Sequence, residues 1–456
     1  MLLVGCDTEA TGLLASVNRS RGLLGVALVL APQPTAASLW RVGLMPAAET
    51  GPRPWRGPAF GSSATDRLTR ATPMPPPVCG NASRVAAGAG PPCLDWPALP
   101  PRSHPETAVN EAFFHALPKV ELHCHLLGTI QRSTLTEWVQ REGMPVSAAE
   151  IEAYYTRGDK PVGVLKVLRL LEKSLLRSPD DLHRITLEYL AAAAQQNIRH
   201  AEFFWNPTGT ARDSGIGYRD GMQAIVRAMA DAEHDHGISS LLIPAIDREA
   251  GASAAMEMVG WVAAHPHEKV AGIGIDYREN DHPPELFEAA YSMARSAGLK
   301  TTAHAGEFGC PWTHVQTALD VLKVDRLDHG YTILQNPELT RRAADSGIVI
   351  TVVPTNSYYL RTLPRESWAA EHPIRFMPAA GLRVHPNTDD PTLHRVNATQ
   401  AWQKMHTDFG FDAAHIAQFM HAGIDGAWVD EDIKRRWRLE FEQERLAALA
   451  LSGRGA

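Results

Sequence analysis

The sequence predicts a (β/α)8 barrel that follows a proline-rich extension. From residue 106 onward, short apolar runs of β type alternate with longer helical patterns, and His, Asp or Glu residues follow several of the apolar runs. Eight strand–helix units over about 340 residues are typical of this barrel, whose functional residues lie at the carboxyl ends of the strands. An open doubly wound sheet is the alternative, but no glycine-rich phosphate loop follows the first predicted strand.

Residues 1–105 differ from the rest of the chain. They contain 16 of the 33 prolines and no lysine. Runs such as PMPPPVCG (73–80) cannot continue a helix or a central strand, because proline lacks the backbone N–H that both structures use. We expect a disordered or irregular extension, or sequence upstream of the native start, so that the barrel occupies residues 106–456.

Composition limits the classes of function. The net charge of −7 has the wrong sign for binding a nucleic-acid backbone. Five widely spaced cysteines do not form a disulfide framework, which favours the reducing cytoplasm. No apolar run reaches the ~18 residues of a membrane span. We expect a cytoplasmic protein that acts on a small molecule, with neither nucleic acid nor membrane as partner; the oligomeric state is not predicted.

The predicted elements follow in regular order. The strands are Lys119–His125, Arg199–Trp205, Leu241–Ile246, Val270–Asp276, Leu299–His304, Arg326–His329, Ile348–Val353 and Leu382–Asn387. Predicted helices lie between them at 164–176, 180–196, 220–236, 252–264, 284–297, 315–322 and 337–345. Ser178, followed by Pro179 and two aspartates, is a helix start signal. Gly298 and Gly347 are placed where helices should end before the next strand.

Metal-binding residue types follow four of these strands. In VELHCHLLG (120–128), His123 and His125 should share one face of the first strand while Cys124 faces the other, because side chains alternate along a strand. The other three strand ends carry the residues His304 and Glu307, Asp328 and His329, and Asp389 and Asp390. Imidazoles and carboxylates that gather at one end of a barrel indicate a metal site.

One zinc ion per chain is the preferred interpretation, although Fe²⁺ or Mn²⁺ could bind the same ligands. A binuclear site with a bridging lysine after strand four is the competing one, but the chain has Asp276 followed by Tyr277 and Arg278 there. The metal would lower the pKa of a bound water toward ~7. His329 is the candidate to receive or orient the water proton, and Glu307 the candidate proton donor to the substrate. Asp328 should point away from the site, because it neighbours His329 in a strand.

The motifs LPKVELHCHLLGT, TAHAGE, RLDHG and NTDDP, in this order, resemble those of the adenosine deaminase family. The resemblance spans roughly residues 115–430 and implies a zinc-dependent aminohydrolase that replaces the 6-amino group of a purine by oxygen. It implies that the zinc ligands are His123, His125, His304 and Asp389. It also implies that Glu307 protonates ring nitrogen N1, that His329 holds the attacking water, and that Asp390 binds ring nitrogen N7.

Three segments depart from the family pattern. Leu127 occupies the position of an acidic residue that meets the ribose 5′-hydroxyl in adenosine-specific members. Glu279 occupies the position of a glycine whose backbone approaches N3. We therefore predict that Leu127 and Glu279 contact the substrate and alter its choice. The segment 353–357 (VPTNS) also differs from the family's order, and we assign no role to it.

The predicted reaction is deamination of adenosine or deoxyadenosine to inosine or deoxyinosine and ammonia. Deamination of adenine or another 6-substituted purine is the alternative within the same reaction class. A metal-dependent hydrolase of another substrate and a non-catalytic purine-binding relative are further alternatives. Measurements of ammonia release from a panel of purines, together with the zinc content, would separate these four.

Overall fold

The computed structural model describes residues 15–18, 25–28, 109–155, 163–356, 359 and 362–452. The chain divides into two compact units, Met1–Val85 and Ala86–Ala456. In the first unit, Ala15–Asn18 and Gly25–Leu28 form a pair of antiparallel strands. These two short strands lie within the extension for which we expected no regular structure. The remainder of the 1–105 prediction lies outside the described residues.

The second unit is built on eight parallel strands in the part of the chain that the structure describes. They are β1 (Lys119–Glu121), β2 (Ile198–Trp205), β3 (Ser239–Asp247), β4 (Gly272–Asp276), β5 (Lys300–Ala305), β6 (Arg326–His329), β7 (Val349–Val352) and β8 (Arg383–Pro386). Each strand pairs with the next along the chain, from β1 to β8. The predicted (β/α)8 barrel is confirmed.

Backbone pairing beyond the ends of β1 and β8 joins the first strand to the last. Cys124 forms a parallel bridge with Asp389. The His125 N–H donates to the Asp389 carbonyl oxygen at 2.8 Å, and the Asp389 N–H donates to the His123 carbonyl oxygen at 3.0 Å. Further toward the start of β1, the Leu122 N–H donates to the Asn387 side-chain oxygen at 2.8 Å. The barrel is therefore closed at the end where the predicted ligands lie.

The first strand is shorter than predicted. Regular pairing of β1 stops at Glu121, and His125 makes only an isolated bridge with Phe204. Beyond Glu121 the pairing with β2 is irregular, since Glu121 pairs with Ala201 but His125 with Phe204, and Cys124 also pairs with Asp389 after β8.

Helices surround the strands, largely at the predicted positions. Within the described ranges, the α-helices of four residues or more are Glu111–Ala116, Arg132–Arg141, Ala148–Tyr154, Val164–Leu170, Pro179–Ala194, Tyr218–His236, Gly251–Ala264, Glu288–Ser296, Trp312–Thr317, Pro337–Ser346, Trp368–Glu371, Pro391–His394, Ala398–Thr407, Ala413–Gly426 and Glu431–Ser452. Single π-helical turns extend two of them, at Leu171–Leu175 and Ala318–Leu322.

The predicted helix boundaries have the expected local cause. The Ser178 side chain accepts a hydrogen bond from the Asp181 N–H, and Asp181 reciprocates, which forms a capping box at the start of Pro179–Ala194. Gly298 and Gly347 adopt φ of +79° and +70°, the left-handed conformation that ends a helix. Both predictions of helix ends are confirmed.

No helix among the described residues is both long and apolar enough to cross a membrane.

An ion pair closed to solvent lies inside the barrel. The Arg326 guanidinium of β6 donates to the Glu202 carboxylate of β2 at 2.6 Å, and both side chains have zero exposure. Arg326 also donates to the Leu122 carbonyl oxygen at 3.0 Å and packs over the Trp428 ring at 4.4 Å. Removing one member of such a pair leaves the other charge buried without compensation, which costs roughly 3–5 kcal/mol.

We predict that Arg326→Leu lowers the free energy of unfolding by roughly 3–5 kcal/mol, because Glu202 keeps its buried charge. The matched control is Arg341→Leu, which removes an exposed pair with Asp345 worth at most about 1 kcal/mol. Denaturant unfolding of both metal-loaded variants measures the difference. Equal losses would show that the buried pair carries no special weight.

Candidate active site

Four side chains predicted as metal ligands converge at the carboxyl ends of the strands. One donor atom from each of His123, His125, His304 and Asp389 lies within 4.8 Å of the others. The Nε2 atoms of His125 and His304 are 3.1 Å apart, and the Asp389 carboxylate oxygen lies 3.2 Å from His125 Nε2 and 3.3 Å from His123 Nε2. The four residues come from three strand ends, and the closure of the barrel brings two of these ends together.

These residues fit a divalent transition metal. The Nε2 atom of His123 is buried and has no hydrogen-bond partner among the described residues, and a bound cation would supply the missing partner. Three imidazole nitrogens and one carboxylate oxygen are a donor set that suits Zn²⁺. Burial lowers the pKa of His123, but the nearby carboxylates of Asp328 and Asp389 outweigh it and raise this pKa to about 9. These two carboxylates give the cluster negative charge, which favours a cation at its centre.

Carboxylates hold the far side of each imidazole. Asp328 lies 3.4 Å from His123 Nδ1 and 3.5 Å from His304 Nδ1, and Asp276 lies 3.4 Å from His125 Nδ1. A carboxylate at this position fixes the ring orientation and the tautomer of a metal-binding histidine. The sequence motifs alone predicted no role at the site for either aspartate.

The orientation of Asp328 corrects a prediction. We expected it to point away from the site, yet its carboxylate accepts hydrogen bonds from the hydroxyl groups of Thr302 (2.8 Å) and Thr351 (2.7 Å) and lies beside two ligands. The physical reason is the backbone of His329, whose φ of +64° breaks the alternation of the strand. Asp328 and His329 are both fully buried, and both lie beside the ligand histidines.

Glu307 and His329 lie side by side, as expected of an acid and a base that serve one substrate. Their closest atoms, Glu307 Oε2 and His329 Nε2, are 3.6 Å apart. The Asn356 amide donates to Glu307 Oε1 at 3.1 Å, and the Tyr331 hydroxyl lies 3.3 Å from His329 Nδ1. Asn356 lies in the segment 353–357, for which no role was predicted. The difference between this segment and the family's order was the only feature of the sequence that could have pointed to Asn356.

The surroundings shift the pKa values of these two groups in opposite directions. Burial, together with the negative charges of Asp389 and Glu279, raises the pKa of the Glu307 carboxyl well above its usual range. Burial, together with the charges of His123 and His304, lowers the pKa of His329 well below its usual range. At neutral pH, Glu307 therefore retains a proton to donate and His329 is neutral and able to accept one.

A cavity of about 470 Å³ opens onto this cluster. Its wall includes His125, His304, Glu307, Asp389, Asp390, His394, the apolar side chains Val164, Leu165 and Leu168, and the exposed residues Lys166, Arg278 and Asn280. Asp390 is held against Gly128, where a Cβ atom would lie 1.8 Å from its carboxylate oxygen. Glycine at 128 is therefore required for Asp390 to occupy this position.

Leu127 and Glu279, the two residues predicted to contact the substrate, lie away from the cavity wall. Leu127 is 4% exposed in a short 3₁₀ turn, Leu126–Thr129, and is not among the described residues that line the cavity. Glu279 is 1% exposed, and its carboxylate accepts hydrogen bonds from the backbone of Gly306 and Glu307. The described structure thus brings neither side chain to the cavity wall.

Comparisons with known proteins agree with this geometry. Residues 118–443 match the family model "Adenosine deaminase". An adenine deaminase of Sphingopyxis alaskensis is 37% identical over 300 residues, which cover 64% of this chain and 83% of that protein. A crystal structure of an amidohydrolase from Burkholderia ambifaria with bound zinc is 58% identical, with a TM-score of 0.75, and covers 79% of this chain and 98% of that one.

A second crystal structure, of an adenine deaminase from Arthrobacter aurescens, is 29% identical with a TM-score of 0.65 and covers 72% of this chain and 98% of that one. Together with the metal-type cluster, these relatives support a hydrolytic deaminase that acts on a C–N bond of a purine. The family match spans well over half of the sequence. The chain belongs to the adenosine deaminase family.

Proposed function

We propose that this protein is a zinc-dependent adenine deaminase, which converts adenine and water to hypoxanthine and ammonia. The observation that carries the proposal is the meeting of a metal-type donor set with a protonated, buried acid, Glu307, in one cavity. The choice of adenine is supported by the relatives at 37% and 29% identity, both of which are named adenine deaminases. This favours the alternative of the sequence analysis over its first reading, adenosine.

One part of the cavity wall suits a substrate without a sugar. Val164, Leu165 and Leu168 cannot hydrogen-bond a ribose hydroxyl, whereas Lys166, Arg278 and Asn280 elsewhere in the wall can. A buried hydroxyl without a partner costs roughly 1–3 kcal/mol, or about ten- to a hundredfold in kcat/KM. Adenine has no such group to leave unpaired.

The residues of the site divide the chemistry between them. His123, His125, His304 and Asp389 would hold one zinc ion, which supplies a polarised water of lowered pKa when bound. The neutral imidazole of His329 accepts a proton from the water as its oxygen bonds to C6. Glu307 donates its proton to ring nitrogen N1, so that the C6–N1 double bond opens without building negative charge on the ring.

The leaving group and the ring are handled by the same residues. The proton taken by His329 returns to the amino nitrogen, so that the C6–N bond breaks with ammonia as the neutral product. The proton given to N1 stays there in hypoxanthine. The second proton of the water leaves the new C6 oxygen as the carbonyl forms, and it restores the proton of Glu307. Asp390 is the proposed partner of ring nitrogen N7 and fixes the orientation of the purine.

We expect adenine to be deaminated with a kcat/KM at least ~10-fold above that of adenosine or deoxyadenosine, because a ribose hydroxyl placed against Val164, Leu165 or Leu168 would lack a hydrogen-bond partner. Ammonia release from metal-loaded protein, measured across free, N9-substituted and N6-substituted 6-aminopurines, gives the ranking. A preference for adenosine would restore the first reading of the sequence and overturn this substrate assignment.

We expect His304→Ala to lose both the metal and the activity, since it removes one of four ligands at the centre of the site. The wild type should contain about one zinc per chain, by elemental analysis, and chelation should abolish its activity. The control is His183→Ala, a histidine on a helix that pairs with Asp231 at the surface. Full activity of His304→Ala without bound metal would contradict the proposal.

We expect Glu307→Gln to retain zinc but to lose at least ~10²-fold in kcat, the usual contribution of a positioned general acid. The amide has the size of the carboxyl group but cannot pass a proton to N1. Glu338→Gln, at an exposed helix start, is the matched control. Near-normal turnover in Glu307→Gln would assign proton donation to another group.

A further inference from the structure

Glu279 makes a bidentate contact with the backbone that carries Glu307. One of its carboxylate oxygens accepts the Gly306 N–H at 2.9 Å, and the other accepts the Glu307 N–H at 3.1 Å. The His314 Nδ1 atom lies 2.8 Å from the first oxygen. Glu279 comes from the loop after β4, whereas the amides belong to the turn after β5, so the contact joins two neighbouring strand ends.

The turn that receives this carboxylate has a backbone that glycine makes possible. Gly306 has φ of +70°, and a Cβ atom there would lie 2.5 Å from the Thr332 hydroxyl. The left-handed residue turns two successive N–H groups toward one point, which makes a concave site for an anion. The Glu279 carboxylate occupies that site.

Arg248 holds the same turn from the carbonyl side. Its guanidinium is fully buried and donates to the carbonyl oxygens of Asp276 at 3.0 Å and of His304 at 2.7 Å. The carbonyl of a predicted metal ligand and the amide of the predicted acid are therefore both fixed by buried charges. Although burial raises the pKa of Glu279, the hydrogen bond with His314 and the charge of Arg248 hold it below its usual range, so the carboxylate is ionised.

We propose that Glu279 is a positioning residue, which sets the place of the Glu307 carboxyl relative to the substrate by holding the Gly306 and Glu307 amides. The inference rests on the proposed role of Glu307 as the proton donor. It assigns Glu279 an indirect effect on the reaction in place of the substrate contact predicted from the sequence. A shift of about 1 Å in such a group can cost ~10²-fold in rate.

A metal site is the competing interpretation of this cluster. Ligand-type atoms of Glu279, Cys310 and His314 lie within 4.8 Å of one another. Both carboxylate oxygens, however, already accept hydrogen bonds from backbone amides, one at each oxygen. The Glu279 carboxylate therefore has hydrogen-bond partners of its own, and its contact with the two amides accounts for its burial.

The test is a double-mutant cycle between Glu279→Gln and Glu307→Gln. Glu279→Gln keeps the size of the side chain but presents an NH2 group to one of the two amides, so that one hydrogen bond is lost. In the wild-type background we expect kcat to fall by at least ~10-fold, with zinc content unchanged and KM for adenine altered less than ~3-fold. In the Glu307→Gln background the same change should alter kcat by less than ~3-fold, because the positioned proton is already absent.

Effects that simply multiply in the double variant would overturn the proposal, since a merely structural residue lowers activity whether or not Glu307 can donate a proton. An unchanged kcat in Glu279→Gln would also overturn it. Glu285→Gln, an exposed glutamate that follows in the same connection, is the matched control. If Glu279→Gln unfolds, His314→Ala replaces it, because this variant removes one partner of the carboxylate from a partly exposed position.

The wild-type assay separates this inference from the proposed function. If the wild type deaminates a 6-aminopurine other than adenine, the substrate assignment fails and the cycle is measured with that purine, where non-additivity still supports the role of Glu279. If the wild type deaminates none, the proposed function and the inference fall together.

Discussion

The site depends on the backbone pairing between the ends of β1 and β8. The His125 and Asp389 amides form the reciprocal hydrogen bonds that close the barrel. These bonds join segments more than 260 residues apart in the sequence and bring two imidazoles beside one carboxylate. The fold and the metal-type site thus share one interaction: a break at this seam would separate Asp389 from His123 and His125.

Three of the six non-glycine residues with positive φ in the described part of the chain lie where the chemistry is proposed. Tyr277, His329 and Asp389 have φ of +66°, +64° and +65°, a conformation that non-glycine residues rarely adopt. Each follows a barrel strand or ends one, where the chain must turn a side chain into the cavity. Such conformations persist only when surrounding contacts hold them, and the buried hydrogen bonds of Asp328 and the closing bonds of Asp389 serve this purpose here.

Opposite electrostatic surroundings divide the roles of two neighbouring groups. Negative neighbours and burial keep a proton on Glu307, whereas burial among imidazoles keeps His329 neutral. A proton donor and a proton acceptor only 3.6 Å apart can then act on one small substrate. The pairing of Glu307 with His329 is consistent with membership of the adenosine deaminase family. The identity of the purine depends on the wall of the cavity rather than on these two residues.

The sequence by itself determined the barrel, the order of its elements, the helix ends at Ser178, Gly298 and Gly347, and the four strand ends that carry His, Asp and Glu. These follow from periodicity, capping and proline or glycine positions, all of which act over a few residues. Tertiary structure alone decided the inward orientation of Asp328, the early end of β1 and the contacts of Glu279 and Asn356. Strand alternation predicts orientation only while φ stays negative and the pairing partner stays the same. The first condition fails at His329, and the second fails where the chain after β1 pairs with the residues after β8. Contacts between the loops after β4, β5 and β7 cannot be predicted from the local sequence. They form because the closed barrel places the ends of these strands next to one another.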